Sequence, residues 1–278
     1  MHKKLLTSII LFSIMIPVSS TGWNDARISA YYSVEKAVEE NANIILTWIS
    51  TENIGVTEED LEYLKELKEE ANRKGIKVIV YLAPLEIQTY NVDMDEDGKV
   101  DEGKKSIYTE HPEWLQVGED GRKAVFYGNV AFWVEKHSED AWICPNDPEY
   151  RRIFLEEVKK IAPYVDGIYL DVVIFLNSFG DWEDNYACHC EDCKRLFKEE
   201  KGLDIPGKND KNWKIWIEWR EEKIKEFLED VKKEAKKINP DIKIILEHWH
   251  GFYDGFKTGW SINLRETVDI MTHEYDAA

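Results

Sequence analysis

Residues 165–171 read Val165-Asp-Gly-Ile-Tyr-Leu-Asp171 and run on through Val172 and Val173. The run has no helical spacing, and a short, continuously apolar segment of this kind is a strand buried on both faces, as in parallel sheets. Working outward, Pro148 opens an amphipathic helix through Ile161, and Trp213 to Ile238 forms a long one. Ile242 to Trp249 and Val268 to His273 are the next strands. Upstream, Arg27 to Tyr32, Ile44 to Ile49 and Ile76 to Ala83 are strands, with a helix around Val34 to Asn41 after the first. Thr57 caps another helix, whose first turn holds Glu58, Glu59 and Asp60 where the helix dipole favours acids. Its Leu61, Leu64, Leu67 and Ala71 share one face, and Gly75 stops it. Two long segments, Pro84 to Ala141 and the stretch after Val173 to about Asp210, carry no strong periodicity and read as functional loops. Alternating strands and helices predict an α/β fold with a parallel sheet, and long loops after strands three and four suggest a (β/α)8 TIM-barrel-like architecture. Six strands are counted, so the barrel reads as truncated after about six. The alternative is an open sheet.

The chain has 278 residues, with 36 Lys and Arg against 55 Asp and Glu and a net charge of −19. That sign argues against nucleic acid as a partner. Aromatic residues make up 12%, including 11 Trp and 13 Tyr, and rings at the mouth of a cleft are a common way to stack on sugars. Gln occurs only at Gln88 and Gln116 while Lys and Glu dominate, a composition that suggests a thermophile source. His2, Lys3 and Lys4 precede the mainly apolar run Leu5 to Val18, which ends in Ser19, Ser20, Thr21 and Gly22. This predicts a signal peptide over residues 1–21 and a secreted or extracytoplasmic protein. An uncleaved anchor is the rival, but ~14 apolar residues fall short of the ~20 that span a bilayer. No membrane span is expected after cleavage. Residues 23–278 then read as one barrel domain, incomplete at its C-terminus.

Three groups of residues carry chemistry. Cys144 and the C-x-C-x-x-C run Cys188, Cys190 and Cys193 offer four thiolates from two loops that a barrel makes neighbours, which suits a closed tetrahedral zinc site. Two disulfides are the rival in an exported chain, although pairing inside C-x-C is strained. His189 reads as an exposed spacer. Asp93, Asp95, Asp97 and Asp101 fall at positions one, three, five and nine of an EF-hand-like calcium loop with Gly98 at six, but Lys104 stands where the bidentate Glu belongs. A solvated acidic turn is the alternative. Acid–base or nucleophilic chemistry on a single bond needs two carboxyl groups facing it, and in a barrel the candidates sit at strand ends: Asp171, Glu247 and Glu274. His111, Trp114, His248, Trp249 and His273 are candidates to line a sugar pocket. Asp166 reads as a cap on the strand turn.

Several segments occur together in order: Lys74-Gly-Ile-Lys-Val-Ile-Val80, His111-Pro-Glu-Trp114, Cys144-Pro-Asn-Asp-Pro-Glu-Tyr-Arg151, Val165 to Asp171, Cys188-His-Cys-Glu-Asp-Cys193, Phe197 and Gly202-Leu-Asp-Ile-Pro206. With these the chain resembles the glycosyl-hydrolase-like TIM barrels, especially the hypothetical glycosyl hydrolase 6 group, with kinship to the α-L-fucosidase and family 42 β-galactosidase barrels. The resemblance implies carbohydrate chemistry. It implies zinc in the cysteine cluster, as in the family 42 enzymes. It also implies a nucleophilic aspartate at the end of strand four, which is Asp171, and an acid later in the barrel, for which Glu274 ranks before Glu247. The expected function is an exported glycoside hydrolase acting on an oligo- or polysaccharide. A non-catalytic carbohydrate-binding or remnant barrel is the second reading. A metal-dependent hydrolase of another class is disfavoured, because there is no H-E-x-x-H and His248-Trp249-His250 has no partner motif.

Overall fold

The structure is a computed structural model that describes residues 16–17, 23, 25–29, 33–49, 55–248 and 255–273. In chain order its elements are β1 (Ile16–Pro17), β2 (Ile28–Ser29), α1 (Val34–Glu39), β3 (Ile44–Trp48), α2 (Glu58–Arg73), β4 (Lys77–Leu82), β5 (Glu86–Thr89) and α3 (Ile107–Glu110). There follow β6 (Val125–Tyr127), β7 (Glu139–Trp142), α4 (Pro148–Ile161), β8 (Gly167–Leu170), α5 (Glu191–Lys201), α6 (Trp213–Ile238), β9 (Lys243–His248) and β10 (Ile270–His273). The main sheet is ordered β1-β10-β9-β8-β4-β3-β2. Its six strands β2, β3, β4, β8, β9 and β10 are parallel, and β1 joins antiparallel to β10. The strand order never reverses, so the sheet is wound in one direction as in a barrel and not about a switch point. It is a half-barrel of six parallel strands with helices, open among the described residues.

Alternation along the strands gives the sheet two faces. Ile45, Val78, Val80, Leu82, Ile168, Leu170, Ile244 and Leu246 join the larger core with residues of α2, α4 and α6. The opposite face carries Ile44, Leu46, Ile79, Tyr169, Ile245 and Ile270, with Trp48 and Tyr81 packed on them. In register, Trp48 lies beside Tyr81, Tyr81 beside Tyr169, and Tyr169 beside Ile245. The same alternation puts Asp171 and Glu247 on this inner face, at the C-terminal ends of adjacent strands.

The helices start and stop where their residues dictate. The Thr57 hydroxyl accepts from the Asp60 N–H at 3.1 Å and the Asp60 carboxylate accepts from the Thr57 N–H at 2.9 Å, a reciprocal cap. Gly75 follows at φ +70°, a conformation that costs glycine little. On α2, Leu64, Leu67 and Ala71 are buried. Asp147 caps α4 by accepting from the Tyr150 N–H at 2.8 Å, with Pro148 in the first turn.

The two long loops are not loops throughout. The segment after β4 holds a three-stranded antiparallel sheet, β5-β7-β6. Its strands have three or four residues, too few to show a period, and β7 is Glu-Asp-Ala-Trp buried at every position. The segment before residue 210 holds α5, which buries only Cys193 and Phe197, one turn apart. Among the described residues no helix is long and apolar enough to cross a membrane.

Candidate active site

Asp171 follows β8, and its N–H donates to the Leu82 carbonyl at 3.0 Å, so its backbone is tied to the end of β4. The next residue, Val172, has φ +47°. That is a strained conformation for a β-branched residue, of the order of 1–3 kcal/mol. Its N–H donates to Asp171 Oδ1 at 2.6 Å. The Tyr81 hydroxyl donates to Oδ2. Glu247, only 7% exposed, is hydrogen-bonded to Asp171 and close to the Tyr169 hydroxyl. The Thr272 hydroxyl donates in turn to Tyr169 Oη at 3.1 Å, and the Tyr81 and Tyr169 rings stack at 5.8 Å. Burial pushes the Asp171 carboxyl up, and the donors from Tyr81, Val172 and Glu247 pull it back. Of the two acids, Glu247 is buried and Asp171 is partly exposed.

A second acid pair lies just past the end of β4. Glu86 opens β5 and Asp140 lies on β7, which pairs antiparallel with it. Trp133 Nε1 donates to Glu86 Oε1 at 2.8 Å, and Trp142 Nε1 to Asp140 Oδ2 at 3.0 Å. Burial, then the neighbouring Asp140 charge, raises Glu86 well above the usual carboxylate range. Burial pushes Asp140 up to about 7. Beside Trp133, Phe132 is 86% exposed and meets it edge-on at 4.9 Å. None of these residues was visible in the sequence, because their segment carries no period and its acids look like loop acids.

The sugar-pocket candidates separate. Trp114 is 1% exposed, donates from Nε1 to Glu149 at 3.4 Å and packs on Tyr150. It is a core residue and offers no ring face to a ligand, which corrects the sequence reading. His111 is half-buried, stacks on Trp114 at 3.8 Å and pairs with Glu113 at 3.5 Å. Trp249 and Glu274 lie outside the described residues, as do the side chains of His248 and His273.

The four cysteines converge. Cys144, Cys188, Cys190 and Cys193 are buried and free, with all sulfurs within 4.8 Å of one another. Cys144 lies 3.5 Å from Cys193 and 3.6 Å from Cys190. These are close to the edge of a tetrahedron with Zn–S of ~2.3 Å and far from a bonded S–S length. The N–H groups of Val117 and Cys190 point at Cys188 at 3.4 Å, and Asn146 Nδ2 at Cys193 at 3.2 Å, as donors to thiolate sulfur would. Arg220 is fully buried among Trp216, Phe175 and Tyr186, and its Nε and Nη1 meet no acceptor among the described residues. Cys188 and Cys193 are among the few negative groups near it. The donor set and this lone guanidinium fit a negatively charged metal–thiolate centre. His189, read as exposed, instead packs half-buried against Trp216 at 5.1 Å and is not in the cluster.

In the acidic loop, oxygens of Asp93, Asp95 and Asp101 gather within 4.8 Å. Asp97 does not join them: its carboxylate pairs with Lys99 at 3.3 Å while its N–H donates to Asp93 at 3.0 Å. At the far end of β8, Asp166 accepts from the Val78 N–H at 2.8 Å and pairs with Lys68, the capping role its position suggested.

Comparison with known proteins places this arrangement. Among solved structures, the β-galactosidase from Rahnella sp. R3 is similar with a TM-score of 0.54 at 14% identity, covering 86% of this chain and 35% of that one. The PgaB (BpsB) glycoside hydrolase domain from Bordetella bronchiseptica aligns with a TM-score of 0.54 at 12% identity, over 89% of this chain and 73% of that one. The β-galactosidase from Bacillus circulans sp. alkalophilus gives 0.52 at 16%, over 91% and 40%. These likenesses show the fold, and the chain spans about a third of the Rahnella enzyme. No curated protein matches. The glycosyl hydrolase-like 10 family matches over residues 44–260, which bears out the resemblance to glycosyl-hydrolase-like barrels, within the tenth group where the motifs pointed to the sixth. That match covers well over half of the sequence, and the chain belongs to the glycosyl hydrolase-like 10 family.

Proposed function

We propose that the protein is an exported glycoside hydrolase that cleaves O-glycosidic bonds of an oligo- or polysaccharide, with Asp171 as its nucleophile or base. The observation that carries the reading is the placement of Asp171. It is a partly exposed residue at the C-terminal edge of a barrel-type sheet, its carboxyl held by Tyr81 and Val172 with no described cation to neutralise it. Barrel enzymes do their chemistry at this edge. Glu247 is in hydrogen-bond contact with Asp171, too close for a sugar to lie between them, whereas paired carboxyls of glycosidases stand ~5 Å or more apart. Glu247 thus orients Asp171 and holds a proton against it. Phe132 offers a ring on which a pyranose can stack. Export rests on the leader of residues 1–21.

A structural zinc in the Cys144, Cys188, Cys190 and Cys193 cluster is part of the same proposal, and it would lock the loop before α4 to the start of α5. Calcium in the Asp93, Asp95 and Asp101 loop is the weaker part, since Asp97 is turned away. The functional reading is tested with a panel of 2,4-dinitrophenyl glycosides. Asp171→Asn keeps shape but removes the ionised oxygen, so turnover should fall by about 10³-fold or more with folding intact. Turnover within a few-fold of wild type would remove Asp171 from the chemistry.

A further inference from the structure

We propose that Glu86 is the proton donor of this site and that Asp140 is the positioning residue that keeps it protonated. The inference rests on the reading of Asp171 as the catalytic carboxylate, and it supplies the second carboxyl that Glu247 is too close to be. Four observations support it.

The first is place. Leu82, the last residue of β4, accepts the Asp171 N–H, and Glu86 lies four residues beyond it. Asp171 therefore has Glu247 from β9 on one side and, on the other, the end of β4, four residues before Glu86. The fields of Asp171 and Glu86 reach each other, and both reach Tyr81. The second is the pairing of the two acids. Asp140 is fully buried, and its Oδ2 is occupied by Trp142 while Oδ1 meets no N–H or O–H group among the described residues. A buried acceptor left empty costs of the order of 1–3 kcal/mol. Glu86 is hydrogen-bonded to Asp140, and only a protonated Glu86 can donate there. Two buried carboxyls in contact cannot both ionise, so the pair holds one proton at neutral pH.

The third is rigidity. Trp133 Nε1 fixes Glu86 Oε1 at 2.8 Å and Trp142 Nε1 fixes Asp140, so the proton is held in a set direction. The fourth is access. Glu86 keeps 8% of its surface exposed, and on the α4 side of the sheet it borders a cavity of about 80 Å³ with Ile49, Val56, Leu82, Pro84 and Tyr150. Among the described residues, the charged groups whose fields act on the pair are acidic. They are Asp171 after β8, Glu139 on β7 and, through Tyr81, Glu247 on β9. Glu157 of α4 lines the same cavity but is turned to Lys160 and to the Val56 N–H. Tyr150 of α4 donates to the Pro84 carbonyl. Nothing described neutralises the pair except its own proton.

In the reaction, Glu86 gives its proton to the glycosidic oxygen as the bond from that oxygen to the anomeric carbon breaks and the electron pair passes to the oxygen. Asp171 takes a proton from the water that attacks the anomeric carbon and releases it to solvent, or attacks that carbon itself, in which case water then displaces Asp171 and gives its proton to Glu86. The proton on Glu86 is replaced from water after the aglycone leaves. Neither oxidant nor metal enters the balance.

The test compares two classes of substrate on the full chain. Each 2,4-dinitrophenyl glycoside that the wild type cleaves is assayed beside its methyl glycoside, whose leaving group needs a proton. Glu86→Gln, which keeps an acceptor for Trp133, should lose about 10²–10⁴-fold on the methyl glycoside and less than about 10-fold on the dinitrophenyl one. Asp140→Asn removes the charge that holds the proton on Glu86, so the alkaline limb of kcat should move to lower pH. A purely structural role would not move that limb. If Glu86→Gln loses both substrates equally, or Asp140→Asn leaves the limb in place while it folds, the proposal is wrong. If Glu274→Gln shows the leaving-group dependence and Glu86→Gln does not, the donor is Glu274. Loss of activity in Asp171→Asn with normal Glu86→Gln overturns this inference alone, whereas full activity in both overturns the reading of the site.

Discussion

Two aspartates bound β8 five residues apart, and their surroundings are opposite. Asp166, at the start, meets the Lys68 ammonium and the Val78 N–H, so its charge is neutralised. Asp171, at the end, meets a phenol, one N–H on a strained turn and another acid. One carboxylate is bound into the fold, and the other is stabilised only in part and left partly open. The difference teaches how to sort the many acids of a chain with net charge −19. Acids that find a cation or several N–H groups hold the structure. Those gathered without a cation store electrostatic free energy that chemistry can use.

The comparison is sharpened most by the cysteine cluster, where negative charge faces one buried guanidinium and, on the proposal above, a metal. Purified protein should carry about one zinc per chain, and Cys190→Ser should lose it together with roughly 10 °C or more of melting temperature. Metal-free protein with no titratable thiols would mean disulfides instead. Next in size is Asp166 itself. Asp166→Asn should cost about 1–3 kcal/mol in urea unfolding, because Lys68 and the Val78 N–H lose a charged acceptor at a half-buried site. An unchanged midpoint would break the contrast from the structural side.

The Glu86 and Asp140 pair adds a pH signature. Their folded-state pKa values are raised, so their stability contribution is complete below the ordinary carboxylate range and is lost as pH rises, for Asp140 through about 7. Asp140→Asn should therefore gain stability relative to wild type between pH 4.5 and 8, by about 1 kcal/mol or more. A constant difference across that range would show that the pair does not share a proton. The smallest effect is expected at the acidic loop, where backbone N–H groups already satisfy Asp93 and Asp101. Millimolar calcium should raise the melting temperature by roughly 1–4 °C in wild type and not in Asp95→Ala. Equal shifts in both would place calcium elsewhere.

Much of this was legible in the sequence. All six parallel strands were readable, five of them as buried apolar runs, and α4 and α6 were readable to the residue, α4 by its Asp147 cap and Pro148 and α6 by its long apolar stripe. Asp171 stood out as the charge that ends such a run, and the cysteine cluster stood out by spacing. Glu86 and Asp140 did not, since β5 and β7 are short and β7 buries its acids, which inverts the rule that apolar residues mark a strand. Trp114 misled in the opposite direction. Its motif placed it near the site, but a tryptophan's position in sequence does not say whether its ring faces solvent or the core, and here the rings of His111 and Tyr150 cover it.

The central claim is that the two ends of β8 do different work, and one paired measurement tests it: glycoside turnover and urea stability of Asp171→Asn and Asp166→Asn side by side. Asp171→Asn should lose about 10³-fold or more in turnover at little or no cost in stability, given the relief of a poorly compensated charge. Asp166→Asn should lose about 1–3 kcal/mol of stability and keep its turnover per folded molecule. The reverse pattern, with Asp171→Asn active but unstable and Asp166→Asn inactive but stable, would contradict the claim.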